Sequence, residues 1–342
     1  MPLRTVSNTG GNWNATTTWV GGVVPLNADT VDFTATSGNL VVNVSTANLT
    51  GIDFTNYVGI ITFNQPINTN GTINLGTGLF IQEGTSGLNI NGSSTISGTT
   101  IFNNISITFG TTTLSNDLNV LTLTLNGNNN PTLQSNKINI IGNLQIDGTN
   151  TISGTAEIVL LGNVTWSNSS NAELRNNVTI NSAGTIKLGT NVYYGVGTLK
   201  HLSGKINAKN STFNISSNAT LINCHKINFN NIKINQGSTI TMNEFFSGSP
   251  SLVTNISSTG TTANYTITFQ NGFEKIAKFV NIINCTVTRP LQLLVLTKSK
   301  RNSTNRGIRY INQSPNGIAK GEPSVNLTTF GACGLLPDPT NL

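Results

Sequence analysis

Thr95-Ile96-Ser97-Gly98-Thr99 returns 56 residues later as Thr151-Ile152-Ser153-Gly154-Thr155. The longer stretches around them, Ser93 to Ile101 and Asn150 to Ile158, share the same alternation of apolar and short polar residues closed by glycine. Alternation over a few residues between Gly and Asn signals is the mark of short strands, and no helical period competes with it. Similar segments recur along the chain: Leu88-Asn89-Ile90-Asn91, Ile138-Asn139-Ile140, Val178-Thr179-Ile180, Lys226-Ile227-Asn228-Phe229, Asn231-Ile232-Lys233-Ile234 and Tyr265-Thr266-Ile267-Thr268-Phe269. A 56-residue offset accommodates two or three coils of roughly 20–28 residues each. Strands of three to five residues at that spacing predict an all-β fold, a single-stranded right-handed parallel β-helix. The competing fold is an antiparallel jelly roll or a string of sandwiches. Asn70-Gly71, Asn91-Gly92 and Asn126-Gly127 favour it if they are hairpin turns.

Composition agrees with stacked coils. Of 342 residues only 9% are charged, and 36% are hydrophobic. Asn, Thr, Ser and Gly make up the difference, and their short side chains bond to backbone at turns or stack between rungs. The steady recurrence of Ile, Leu, Val and Phe and the scarcity of proline argue against a disordered polar chain. The net charge of +6 is unevenly placed. Residues 1–199 hold four bases against eight acids, and residues 200–342 hold fourteen bases against four acids. A basic second half suits an acidic partner surface. Its bases are thinly spread and lack interleaved stacking aromatics, so nucleic acid is a disfavoured partner. Cys224, Cys285 and Cys333 have no metal spacing and read as buried thiols. The N-terminus has no apolar h-region, and no run reaches the length of a membrane span.

Rare residues gather in one place. Gly10-Gly11-Asn12-Trp13-Asn14-Ala15-Thr16-Thr17-Thr18-Trp19-Val20-Gly21-Gly22-Val23-Val24-Pro25 holds two of the three tryptophans. The end coil of a solenoid exposes an apolar cross-section and open strand edges. Trp13 and Trp19 have the area to cover such a cross-section, Gly21 and Gly22 permit a tight turn, and Pro25 blocks further pairing. These five residues are the expected structural cap. Stacking of the tryptophans on a sugar is the functional alternative.

Gly11-Asn12-Trp13, then Thr18-Trp19-Val20-Gly21-Gly22-Val23-Val24-Pro25, then Asn27-Ala28-Asp29-Thr30-Val31-Asp32-Phe33 resembles a G-x-W, T-W-x-G-G-x-x-P opening motif. Such motifs begin β-helical modules in bacterial surface proteins and in structural proteins of phages and algal viruses. A similar opening occurs in eight-glycine domains of some secreted eukaryotic proteins. Lys278 to Val287, followed by Asn305-Arg306-Gly307-Ile308-Arg309-Tyr310-Ile311, resembles the closing coil of the same proteins. Arg309 and Tyr310 depart from its aromatic-apolar pattern. The resemblance implies a parallel β-helix with an N-terminal cap and carries no catalytic residue.

Catalytic patterns are sparse. Glycoside hydrolysis needs two carboxyls at a defined separation. Asp29 and Asp32 fall in the capping motif, which leaves Asp147, Glu157 and Glu173 as the set to check on neighbouring coils. His201 and His225 lack triad spacing, and no phosphate loop, calcium loop or cofactor motif is found. Residues 1–35 are expected to form the cap and residues 36–296 the β-helix body. Residues 297–342 are expected to be a basic loop and an irregular tail. Asn126 to Pro131 reads as a protruding loop, and Thr241 to Thr262 as a break in the rungs. The resulting expectation is a non-enzymatic structural protein of a virus particle, placed in a head decoration or fibre, a tail fibre or a minor capsid position. Its partners would be other virion proteins and further copies of itself. Lys298, Lys300, Arg301, Arg306 and Arg309 are the candidate docking surface. The alternatives are a host- or glycan-binding adhesin, on a virion or a bacterial surface, and a polysaccharide depolymerase.

Overall fold

The computed structural model describes residues 2–78, 80–227, 229–246, 253–259, 264–270, 275–278, 280–287, 294–297 and 308–311. They form a parallel β-solenoid of about 11 turns, with 59% of the described residues in strands. The two helical turns described, Thr16–Thr18 and Cys224–Lys226, are single 3-10 turns. With coils about 4.8 Å apart, the solenoid is a rod roughly 50 Å long.

Each coil contributes strands to three faces. The first face stacks Thr30–Asp32 on residues 51–53, 72–74, 95–97 and 112–114. The second carries residues 118–120, 138–140, 158–160 and 178–180 in succession. The third carries residues 67–69, Leu88–Ile90, 105–107, 123–125 and 143–146. Every pairing between these strands is parallel, which excludes the jelly-roll alternative. The Asn-Gly pairs are therefore corners. Asn70-Gly71 bends the strand Ile67–Asn74 from the third face to the first, and Asn91-Gly92 does the same one coil later. A side chain at Gly71 would collide with the Thr50 carbonyl of the coil below. Close coil-to-coil approach, more than a special torsion, accounts for that glycine.

Period-2 alternation places alternate residues in one continuous core. Leu118, Ile138, Ile158, Val178, Leu199, Leu221 and Met242 stack in register on the second face. Ile67, Leu88, Ile105, Leu123, Leu144 and Trp166 do so on the third, and all of these side chains are buried. Burying each contributes about 1.5–3 kcal/mol. Aromatic rings continue the columns: Phe33 stacks on Phe54 at 4.5 Å and Phe54 on Phe80 at 4.9 Å, with Phe213 and Phe229 5.1 Å apart further along. Outside, asparagine amides bond to asparagines one coil away, Asn89 to Asn68 at 2.9 Å and Asn139 to Asn119 at 2.9 Å. The high Asn content thus satisfies polar groups between rungs.

Three local expectations are corrected. Strands are not all short: Ile101–Leu114 and Leu118–Ser135 run unbroken around corners through bulges. Asn126 to Pro131 is not a protruding loop but a bulged corner within Leu118–Ser135. Asn128 accepts from the Thr149 amide at 3.0 Å and Asn130 from the Thr151 amide at 3.2 Å, both one coil on. Before Ile227, the left-handed Asn223 (φ 57°) ends the strand and Cys224–Lys226 forms a 3-10 turn, so no strand begins at Lys226. The two Thr-Ile-Ser-Gly-Thr segments lie three coils apart, linked through Ser94–Thr112, Thr112–Leu133 and Leu133–Gly154. Ser94 aligns with Gly154, so the copies are displaced along the face and share turn chemistry without a locked register.

Candidate functional site

The first coil is built as a terminus. Leu3–Thr5 pairs with Thr30–Asp32 on one side only. Its outer edge is occupied by residues 18–20, which return antiparallel: the Ser7 amide donates to Thr18 O at 2.8 Å and the Val20 amide to Thr5 O at 2.9 Å, around a Val6–Trp19 bridge. Trp13 and Trp19 are both buried. Their rings meet edge-on at 4.8 Å and 76°, and the Trp19 indole N–H donates to Trp13 O at 2.8 Å. Gly21 and Gly22 adopt φ of 81° and 69°, open to solvent, and Pro25 is buried. Both indoles therefore face the core and offer no ring face for stacking a sugar.

Arg4 occupies the core-side column that continues as Val31 and Ile52. Its Nε donates to Asp29 Oδ2 at 2.8 Å, beside the Leu26 amide at 3.0 Å. Burial opposes the Asp29 charge, but the Leu26 amide and the Arg4 guanidinium outweigh it and hold the carboxyl below its ordinary value. Asp32 behaves oppositely. Burial and the charge of Asp53, stacked on it in register, push its carboxyl up. With its folded value above the unfolded one, ionised Asp32 costs stability above the unfolded pKa, and the cost disappears as pH falls through the folded value. Asp32→Asn is expected to raise the thermal midpoint at pH 7 by on the order of 1 °C, given partial solvent screening. The gain should vanish below pH of about 4, which calorimetry across pH would check.

Asp147, Glu157 and Glu173 do not converge. Asp147 ends a third-face strand and accepts from Gln145 Nε2 at 2.7 Å and Ser169 Oγ at 2.5 Å. Glu157 begins a second-face strand beside Lys137 (3.6 Å) and accepts from Thr179 Oγ1 at 2.5 Å. Glu173 lies on the first face and pairs with Arg175 at 2.9 Å. The carboxylates that the fold does stack, Asp32 and Asp53, were not in that expected set. Their signal was the recurrence of Val31-Asp32-Phe33 as Ile52-Asp53-Phe54.

His201 is buried and its Nε2 lies 3.1 Å from Gly204 O. Cys224 is buried and its thiol is pushed up to about 12 by loss of solvent; burial pushes Cys285 up as well. Cys333 lies outside the described residues. So do Lys298, Lys300, Arg301 and Arg306 of the expected docking surface. Arg309 is described as backbone only, beside Val295 in the parallel pairing of Ile308–Ile311 with Leu294–Thr297.

Linear stacking turns the uneven charge of the sequence into an axial one. Residues 1–174 carry Arg4 and Lys137 against eight carboxylates, whereas residues 175–243 carry seven bases and no carboxylate. The basic group includes Lys187, Lys200, Lys205, Lys209 and Lys233. On the second face, an open trough of about 380 Å³ is lined by Val196, Thr198, Asn218, Thr220, Thr239 and Thr241. No group of three or more metal-ligating side chains is found among the described residues. No described helix is long and apolar enough to cross a membrane.

No protein-family model matches the sequence, and no curated protein or solved structure is significantly similar to it.

Proposed function

We propose that the chain is a non-enzymatic structural component of a virus particle, a rigid rod that docks other proteins through its outer faces. The observation that carries this reading is the axial sorting of charge on a rod with one continuous core. A rod with an acidic first half and a basic second half presents unlike surfaces to its neighbours and is oriented by them. The virion itself enters through the opening motif, which resembles those of phage and algal-virus structural proteins. Mass spectrometry of purified particles, with labelling of the protein in electron micrographs, should find it at fixed copy number in the virion. Recovery only in cell-envelope fractions would make it a surface adhesin.

The adhesin reading has its own support in the hydroxyl-lined trough between Val196 and Thr241. Threonine hydroxyls and the Asn218 amide offer polar contacts to a glycan, and a glycan array tests it directly. The depolymerase alternative predicts cleavage of a host polysaccharide by groups other than Asp147 and Glu157, which lie on separate faces. Under the structural-rod reading, the wild-type protein leaves such polysaccharides intact.

A further inference from the structure

The third face gathers lysines that the sequence scatters. In its later rows, Thr185 and Lys187 alternate with the buried Ile186 and Leu188, so both point outward. One coil on, Lys205, Asn207 and Lys209 alternate with Ile206, which packs on the core, and with the buried Ala208. The register sets Thr185 beside Lys205 and Lys187 beside Asn207, so Lys187 faces the gap between Lys205 and Lys209. Strand spacing and rise put the Lys187 and Lys205 Cα atoms about 8 Å apart. Lys209 opens the turn that the Ser211 amide closes on Ala208 O at 3.1 Å. All three lysines are exposed, and none has a carboxylate partner among the described residues. From Arg175 to Asn243 the chain holds no acid. The nearest carboxylate earlier on this face, Asp147, lies two coils before Lys187 and is engaged by Gln145 and Ser169.

We infer that Lys187, Lys205 and Lys209 form a docking patch for a sulfated polysaccharide. Charge complementarity sets the sign of the partner, because neighbouring cations without counter-charges attract a polyanion. The surroundings set its class. The three cations are lysines, point charges on flexible stems, with no arginine fork for bidentate grip of phosphate. The patch has no aromatic ring on which a nucleic-acid base could stack. Between Asn163 and Lys209 the exposed large apolar side chains are Val196 and Leu202, which lie on the second face and at its corner. A protein partner therefore finds no apolar anchor on the patch. The outward Thr165, Thr185 and Asn207 instead offer hydroxyls and an amide to the sugar hydroxyls beside each sulfate. The threonine trough on the second face is a different surface, whose lining carries no charge and suits a neutral sugar. The inference goes beyond the structural-rod reading and holds on a virion or a cell surface alike.

The test is binding of the full chain to immobilised heparin by surface plasmon resonance over a salt series, with circular dichroism of each variant to confirm folding. Binding is expected at low salt and should weaken steeply as salt rises. Desulfated heparin should bind about tenfold more weakly or less. Lys187→Glu, at the centre of the patch, should weaken heparin binding about tenfold, and the triple change Lys187→Glu, Lys205→Glu and Lys209→Glu should abolish it. Lys233→Glu makes the same charge change at an exposed position on the first face. Lying away from the patch, it should cost less than about twofold. Equal losses in Lys187→Glu and Lys233→Glu would show that net charge alone attracts the polymer, and would overturn the inference. Absence of heparin binding at low salt also overturns it. So does duplex DNA held as tightly as heparin through the same three lysines.

Discussion

Replacing Trp19 by alanine is expected to destabilise the first coil by about 3–5 kcal/mol, the usual range for a buried aromatic. Trp19 fills the end of the core against Trp13, donates its indole N–H to Trp13 O, and lies in the segment that covers the outer edge of Leu3–Thr5. Removing the ring loosens that segment and exposes an unpaired parallel edge, which templates association with other chains. The variant should show early loss of Trp13 fluorescence structure in urea and elongated oligomers in light scattering. Trp19→Phe keeps most of the apolar area and loses the 2.8 Å hydrogen bond. It should therefore cost far less, about 1 kcal/mol, and remain monomeric at dilute concentration. Equal behaviour of the two variants would show that the ring does not hold the edge cover in place.

The second large effect is expected at mid-rod. Ile140 is fully buried and in register with Val120 below and Leu160 above. Ile140→Asp puts a carboxylate among apolar side chains with no partner, a cost of about 5 kcal/mol or more unless it takes up a proton. In a solenoid each coil contacts only its neighbours, so the damage divides the rod instead of lowering stability uniformly. Two unfolding transitions should replace one. Trp166, fully buried one coil further on, reports the C-terminal part, while Trp13 and Trp19 report the N-terminal part. Coincident transitions from single-tryptophan variants would contradict this division.

The fold was legible because the period-2 alternation of strands survives wherever a face is half buried, as in Leu88–Ile90 and Tyr265–Phe269. The coil length was less legible. Val31-Asp32-Phe33, Ile52-Asp53-Phe54 and Ile73-Asn74-Leu75 recur every 21 residues in register, whereas the Thr-Ile-Ser-Gly-Thr pair crosses three coils out of register. The Asn-Gly corners were ambiguous for a physical reason. The same dipeptide suits a tight hairpin and a solenoid corner, and only pairing with a residue about 20 positions away decides between them.

The candidate chemistry failed at the same point. Whether Asp147, Glu157 and Glu173 share a face depends on their positions within coils of unequal length. Asp147 and Glu157 are ten residues apart and Glu173 follows Glu157 by sixteen, each short of a full coil of about 20, so the three fall on different faces. The cap was easier to find because it concentrates rare residues. That Thr18 to Val20 would double back along Leu3–Thr5 had no signal in the local pattern. The charge asymmetry was visible as a count, but its meaning as an axial separation depended on knowing that the coils stack in one line.

The parallel pairing of each coil with the next has a mechanical consequence. The hydrogen bonds between coils point along the rod, so a pull on its two ends loads them one coil after another. Tension should peel the rod from the weaker end in steps of one coil, each releasing about 20 residues of chain. Compression instead presses the aromatic and aliphatic columns together, from Phe33 on Phe54 to Phe213 on Phe229. The molecule is a strut: stiff when pushed, and extensible in small increments when pulled.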